Sequence, residues 1–259
     1  MAKEACSTHP RILITGASGA LGRELAFRLA RPGASLSLWG RDAERLEAVA
    51  DGCRARGAYA DARSLDLTDL DAALAALKQE DATVPFDMAF LVAGQGDTLP
   101  PGAMVEDPAQ VTRLCQVNFV APAAIAAAIA ERMVARGRGR IALVGTAAAS
   151  HSLPFAATYA GSKAGLARYA DALRLSVKGH GVSVTLVSPG FFIDTRAGGT
   201  KPSMPGEISA GRVAEKMIAA VLAGRAELSV PRRFLLLRWF DRLLPRPLRD
   251  KILLSLRLP

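Results

Sequence analysis

A chain of 259 residues that is half hydrophobic, with only 5% aromatics and abundant alanine, can bury a substantial core of closely packed helices but not that of an aromatic-rich β-sandwich. Its net charge of +9 is uneven: residues 225–259 carry nine Arg and Lys against three Asp and Glu, or +6, which leaves +3 for the first 224 residues. The basicity belongs to a tail with no nucleic-acid-binding module beside it, and three cysteines without paired spacing and three scattered histidines give neither a disulfide framework nor a metal cluster.

The N-terminal "MAKEACSTHPRILITG" lacks the apolar run of a signal peptide, and no uninterrupted apolar segment reaches the ~18 residues of a membrane-spanning helix. With reduced thiols, this points to a cytoplasmic protein. "RILIT", residues 11–15, reads as a strand, and residues 20–30 as a helix after a glycine turn. The unit then recurs, with strands near 35–39, 63–66, 87–92, 140–145, 182–187 and 226–230. Helices fall between them near 42–52, 69–80, 108–135, 155–178 and 209–223. Such alternation predicts an α/β, doubly wound Rossmann fold with a mostly parallel seven-stranded sheet and right-handed crossovers. Residues 1–230 form the dinucleotide-binding and catalytic domain in this reading, and residues 231–259 a basic amphipathic helical extension.

"TGASGALG", residues 15–22, lies where the first strand meets the first helix. Gly16, Gly19 and Gly22 there allow a tight turn and close approach of a pyrophosphate to a helix N-terminus. At the end of the second strand, in "LWGRD", an acidic residue that would accept from the ribose 2′-hydroxyl of NAD is replaced by Arg41, which suits the 2′-phosphate of NADP. Asp42 is read as the N-cap of the helix that follows, with a ribose contact as the alternative. Farther on, "YAGSK" places Tyr159 and Lys163 one helical turn apart, with Cβ atoms about 5–6 Å from each other. A phenol near an ammonium is drawn toward phenolate, and its pKa falls toward working pH.

These motifs, taken in order, resemble the short-chain dehydrogenase/reductase family over about residues 11–230. The counterparts are "TGASGALG", Asp66 in "LDLTD", Asn118 in "VNFVAP", Thr146 in "VGTAAAS", "YAGSK", and "SPG" at 188–190. The resemblance implies Tyr159 as catalytic acid/base, Lys163 as its partner and ribose ligand, Asn118 in a water-linked proton relay, and Thr146 in place of the family's Ser, thirteen residues before Tyr159. It also implies a cofactor site of Gly16, Ser18, Gly19, Leu21, Gly22, Arg41, Asp66, Leu67, Ala93, Gly94, Tyr159, Lys163, Pro189, Gly190 and Thr195. Besides Thr146, three positions depart from the pattern: Gly19 precedes the usual middle glycine, occupied here by Ala20; Val92 replaces an Asn whose amide would tie neighbouring strands; and Thr195 stands one residue late. Ser150 is the alternative to Thr146. Epimerisation or dehydration, suggested by the glycine spacing, is opposed by the short C-terminal part.

The expected activity is an NADP-preferring interconversion of a carbonyl and an alcohol on an apolar or lipid-like small molecule. The alternative is a catalytically weak dinucleotide-binding protein recruited to a membrane or partner by its tail. Leu153, Pro154, Phe155, Phe191 and Phe192 are candidates for an apolar substrate lining or for core packing, and residues 191–207 for a lid. The tail "RRFLLLRWFDRLLPRPLRDKILLSLRLP" mixes Leu, Phe and Trp with Arg and suits an anionic membrane surface, with Pro245 and Pro247 dividing two short helices. A peripheral position on the inner face of the membrane follows from that reading. No nucleic-acid partner is expected, and the resemblance implies a homo-oligomer through the two long helices.

Overall fold

Every strand of the main sheet lies parallel to its neighbours, in the spatial order of the strands that begin at Tyr59, Ser35, Arg11, Met88, Gly139, Val182 and Glu227. The computed structural model describes residues 9–96, 98–99, 102–147, 151–190, 192–193, 208–231 and 243–255. Its strands are β1 (Arg11–Thr15), β2 (Ser35–Gly40), β3 (Tyr59–Ser64), β4 (Met88–Leu91), β5 (Gly139–Val144), β6 (Val182–Pro189) and β9 (Glu227–Val230). The short strands β7 (Phe192–Ile193) and β8 (Ile208–Ser209) pair apart from it. The helices are α1 (Ala20–Leu29), α2 (Ala43–Arg54), α3 (Leu70–Thr83), α4 (Pro108–Cys115), α5 (Ala121–Ala135), α6 (Ala157–Ser176), α7 (Ala210–Leu222) and α8 (Arg246–Ser255).

Parallel strands covered on both faces must be apolar nearly throughout. Ile12, Leu13, Ile14, Ala89, Phe90 and Leu143 meet that demand and are buried. One face packs against α1, α2 and α7 through Leu25, Leu46 and Met217; the other packs against α3, α5 and α6 through Leu77, Ile129 and Leu166. The crossover after β3 returns to the far side of β1, so the order reverses between β1 and β4. A crevice opens at the carboxyl ends of strands where such a reversal occurs.

β3 is the element most displaced from expectation, running over Tyr59–Ser64 rather than 63–66. It is an edge strand paired only with β2, and its sequence "YADARS" carries little apolar signal; the stronger signal at Leu65 and Leu67 belongs to the turn that follows. The expected helix over 108–135 is interrupted by a π turn, Gln116–Val120. By length and composition residues 108–135 match a membrane-spanning helix. The apolar side chains of Ile125, Ala126, Ile129 and Met133 are nevertheless completely buried in the core, which accounts for that composition. In the tail, α8 starts just past Pro245 and takes Pro247 into its first turn, where a missing N–H breaks no helical bond.

Candidate active site

The crevice is a cleft of about 640 Å³ walled in part by Gly16, Ser18, Gly19, Leu21, Arg41, Asp66, Leu67, Ala93 and Gly94. Its floor depends on Thr15, the last residue of β1, whose hydroxyl accepts from the backbone N–H groups of Val92 (3.1 Å) and Ala93 (3.3 Å). The strand tie lost with Asn at position 92 is thus supplied from β1. Gly16 turns the chain at φ +67°, and a Cβ there would lie 2.7 Å from the Ala93 Cα. At Gly22 a Cβ would meet the Gly16 carbonyl oxygen at 2.2 Å, so α1 can sit against the turn only without a side chain at that position. Gly19 is the N-cap of α1 and supplies no side-chain acceptor, which leaves the N-terminus of the helix open toward the cleft.

At the mouth of the cleft, the Nη1 and Nη2 of Arg41 both donate, at 2.9 Å, to the side-chain oxygen of Gln95 when that amide is oriented with its oxygen toward the guanidinium. Asp42 caps α2, accepting from the Arg45 backbone N–H at 3.0 Å, and its carboxylate pairs with the Arg45 guanidinium. Asp66 accepts from the Thr68 N–H at 2.9 Å and fixes the loop that leads to α3.

Gln95 also joins the mouth to the interior. Asn118, completely buried in the π turn, donates through Nδ2 to the Gln95 carbonyl and accepts through Oδ1 from the Gln95 N–H, both at 2.8 Å. Above Gly94, where a Cβ would lie 3.2 Å from Asn118 Oδ1, it would also lie 3.1 Å from Lys163 Nζ. The two side chains therefore converge on one point of the cleft wall. Lys163 is 4% exposed and donates to the Val144 carbonyl at 2.9 Å. Tyr159, one turn earlier on α6, is hydrogen-bonded to the side chain of Thr146, just past the end of β5. Asn118, Thr146, Tyr159 and Lys163 thus come from three separate elements, Asn118 and Lys163 against Gly94 in the wall and Tyr159 on Thr146, with none of the four in the cleft lining itself.

Burial shapes the electrostatics of this cluster. It pushes the Lys163 ammonium down to about 8. It is also the larger influence on Tyr159, raising the phenol pKa against the opposing hydrogen bond from Thr146. This runs opposite to the lowering expected from the Tyr159–Lys163 spacing, because desolvation of the phenolate outweighs the Thr146 hydrogen bond that favours it.

Pro189 ends β6, and the Gly190 N–H is held by the Val230 carbonyl at 2.8 Å; neither residue is in the wall of the cleft. Leu153 and Pro154 border a second depression, of about 420 Å³, together with the face of α6 at Ala157, Ala160, Gly161 and Ala164. Thr195, Ser150 and Phe191 lie outside the described residues, as does the side chain of Phe192. Thr15, Gln95 and Glu106, described below, escaped the sequence reading. Thr15 carried a signal in its place directly before the glycine turn, whereas Gln95 and Glu106 have partners remote in sequence.

A profile of the family described as short chain dehydrogenase matches residues 10–205, and the chain belongs to this family. It is an NAD(P)-dependent oxidoreductase with a Rossmann-type fold. Among curated relatives, an uncharacterized oxidoreductase of Myxococcus xanthus is 32% identical over 95% of this chain and 96% of its own. Two further relatives are longer, and the chain spans 58% and 57% of their lengths. Among solved structures, a short-chain dehydrogenase from Sphingobium yanoikuyae in complex with NADPH superposes with a TM-score of 0.78 at 26% identity, covering 96% of both chains. A bulky-bulky ketone specific alcohol dehydrogenase from Comamonas testosteroni gives 0.77 at 25% identity, covering 96% of this chain and 95% of its own.

Proposed function

We propose that the protein is an NADP-preferring reductase that interconverts an apolar ketone and its alcohol. The observation that carries this reading is the approach of Lys163 to Gly94 in the wall of a cleft that Arg41 also lines, with Tyr159 one helical turn from Lys163 and hydrogen-bonded to Thr146. The residues fit a dinucleotide: the glycine turn leaves a cradle that a Cβ would fill, and the open N-terminus of α1 favours a pyrophosphate. Arg41 can exchange the neutral Gln95 amide for a 2′-phosphate, a stronger charge-assisted partner. A dinucleotide bound there would supply a hydride to the carbonyl carbon. Tyr159, kept as neutral phenol near pH 7, then gives its proton to the developing alkoxide, while the Thr146 hydroxyl steadies the phenol and the substrate oxygen. Lys163 places positive charge beside them and, by resemblance, holds the ribose; Asn118 fixes the same stretch of wall, at Gly94 and Gln95.

A ketone substrate is supported by the likeness to the bulky-bulky ketone specific alcohol dehydrogenase, and its apolar character by Leu153 and Pro154 at the second depression. The test is NADPH oxidation with butyrophenone, together with NADPH and NADH dissociation constants. Tyr159→Phe is expected to lower kcat by about 10²- to 10⁴-fold with NADPH affinity kept, and Arg41→Ala to cut the NADPH-over-NADH preference by roughly ten- to a hundredfold. Turnover undiminished in Tyr159→Phe, or equal affinity for both nucleotides in the wild type, would overturn the respective part.

We further infer that the tail, residues 231–259, is a membrane-contacting extension of a cytoplasmic protein. In α8 Leu248 and Ile252 are exposed one turn apart, Leu254 is 71% exposed, and Arg246, Arg249 and Lys251 lie beside them. Apolar side chains flanked by cations match an interface with anionic head groups. Cosedimentation with phosphatidylserine-containing vesicles, lost in 0.5 M salt or on truncation after residue 242, is the expected result; equal recovery in the supernatant with and without vesicles refutes it.

A further inference from the structure

Helix α6 carries Tyr159 and Lys163, yet its N-cap, Ala156, has no side-chain acceptor for the unpaired N–H groups of the first turn. The missing acceptor comes from 52 residues earlier. The Glu106 carboxylate accepts from the Thr158 N–H at 2.9 Å through Oε2 and at 3.3 Å through Oε1, and the Thr158 hydroxyl bonds to Oε2 as well. Thr158 is only 9% exposed, so this contact is sheltered. The next residue, Asp107, caps α4 by accepting from Ala109 N–H (2.9 Å) and Gln110 N–H (3.1 Å). α4 runs through the π turn directly to Asn118. Two consecutive carboxylates therefore hold the first turns of the two helical segments that bring Asn118, Tyr159 and Lys163 to the cleft.

We propose that Glu106 is a positioning residue for Tyr159, capping α6 through Thr158 and thereby setting where the phenol stands relative to Thr146. The proposal rests on the reading of Tyr159 as proton donor. Thr158 immediately precedes Tyr159, so a loosened first turn moves the phenol before it moves Lys163 a full turn later. A carboxylate also complements the positive end of the helix, which no residue of α6 does for itself.

The test compares wild type, Glu106→Gln and Glu106→Ala in NADPH oxidation with butyrophenone, with the NADPH dissociation constant and Tm measured alongside. Glu106→Ala is expected to lower kcat about 10- to 100-fold with NADPH affinity within twofold, and Glu106→Gln, which keeps an acceptor oxygen, to recover a large part of the loss. A fall in Tm with kcat unchanged would show a structural cap only and overturn the proposal. A second readout needs no turnover: the phenolate absorbance of Tyr159, taken as the difference between each protein and the same protein carrying Tyr159→Phe. Removing a nearby anion would by itself lower the phenol pKa, whereas losing the Thr146 hydrogen bond raises it. An upward shift in Glu106→Ala supports positioning, and a downward shift or none overturns it. If the wild type leaves butyrophenone unreduced, the substrate reading fails while the titration still decides the role of Glu106.

Discussion

Helices α1 and α6 both begin without a side-chain cap of their own, yet their N-termini meet opposite fates. α2, α3, α4 and α7 are capped by their own Asp42, Asp69, Asp107 and Ser209. At α6 the vacancy is filled by Glu106, whereas at α1 the glycine turn keeps side chains away and the helix end faces the cleft. The contrast separates two uses of one physical property. A positive helix end reserved for a ligand is left bare, and one used to hold a catalytic side chain is occupied from within the protein.

The most direct way to break this contrast is to cap α1. Gly19 has φ −73°, which any residue adopts, and a Cβ there would lie 3.1 Å from the Gly16 carbonyl oxygen, a tight but adjustable contact. Gly19→Asp is expected to leave the Tm of the free protein within about 2 °C of wild type. Its carboxylate would stand where the pyrophosphate belongs and weaken NADPH binding roughly 100- to 1000-fold, as fluorescence titration would register. Tight binding in this variant would show that α1 does not receive the phosphates.

A smaller effect sharpens the comparison on the α6 side. The folded pKa of Lys163, about 8, lies below its ordinary 10.5, so between these values the unfolded chain holds a proton that the folded chain has released. Stability then rises with pH across that window, and the full penalty of burying the ammonium is present below pH 8. Urea titrations should find Lys163→Met more stable than wild type at pH 7 by about 1–3 kcal/mol, with the gap closing as pH climbs from 8 to 10.5. A gap independent of pH would mean that burial of the charge is not its cause. The smallest change is expected from Asp69→Ala, which removes an ordinary cap at α3, outside the cleft wall. It should cost about 1 kcal/mol, or 2–4 °C in Tm, with kcat unaltered.

Most of the fold was legible because strand and helix periods alternate cleanly and the glycine turn marks their first junction. β3 was misplaced because an edge strand needs little apolar content. Arg41, Gly16 and the Tyr159–Lys163 pair could be read from local spacing. Gln95 and Glu106 could not, since what makes them matter is a partner 54 or 52 positions away, brought near only by the crossovers of the sheet. The direction of the Tyr159 shift was missed for a related reason: spacing shows which charges are neighbours but not how much water has been excluded around them.

The π turn at Gln116–Val120 makes the length of this segment matter as much as its composition. One residue of an α-helix corresponds to about 100° of rotation and 1.5 Å of advance. The π turn takes up one residue more than a regular turn, so deleting residue 116, 117, 119 or 120 would let the run wind as a continuous α-helix with α4 and α5 kept near their present phase, whereas the same deletion inside α4 or α5 would turn everything beyond it by that angle. What a deletion at the π turn removes is the local widening that presents Asn118 to Gln95. Single-residue deletions at 116–120 should therefore be better tolerated in Tm than deletions inside α4 or α5, a pattern that a deletion scan would reveal and a substitution scan would not.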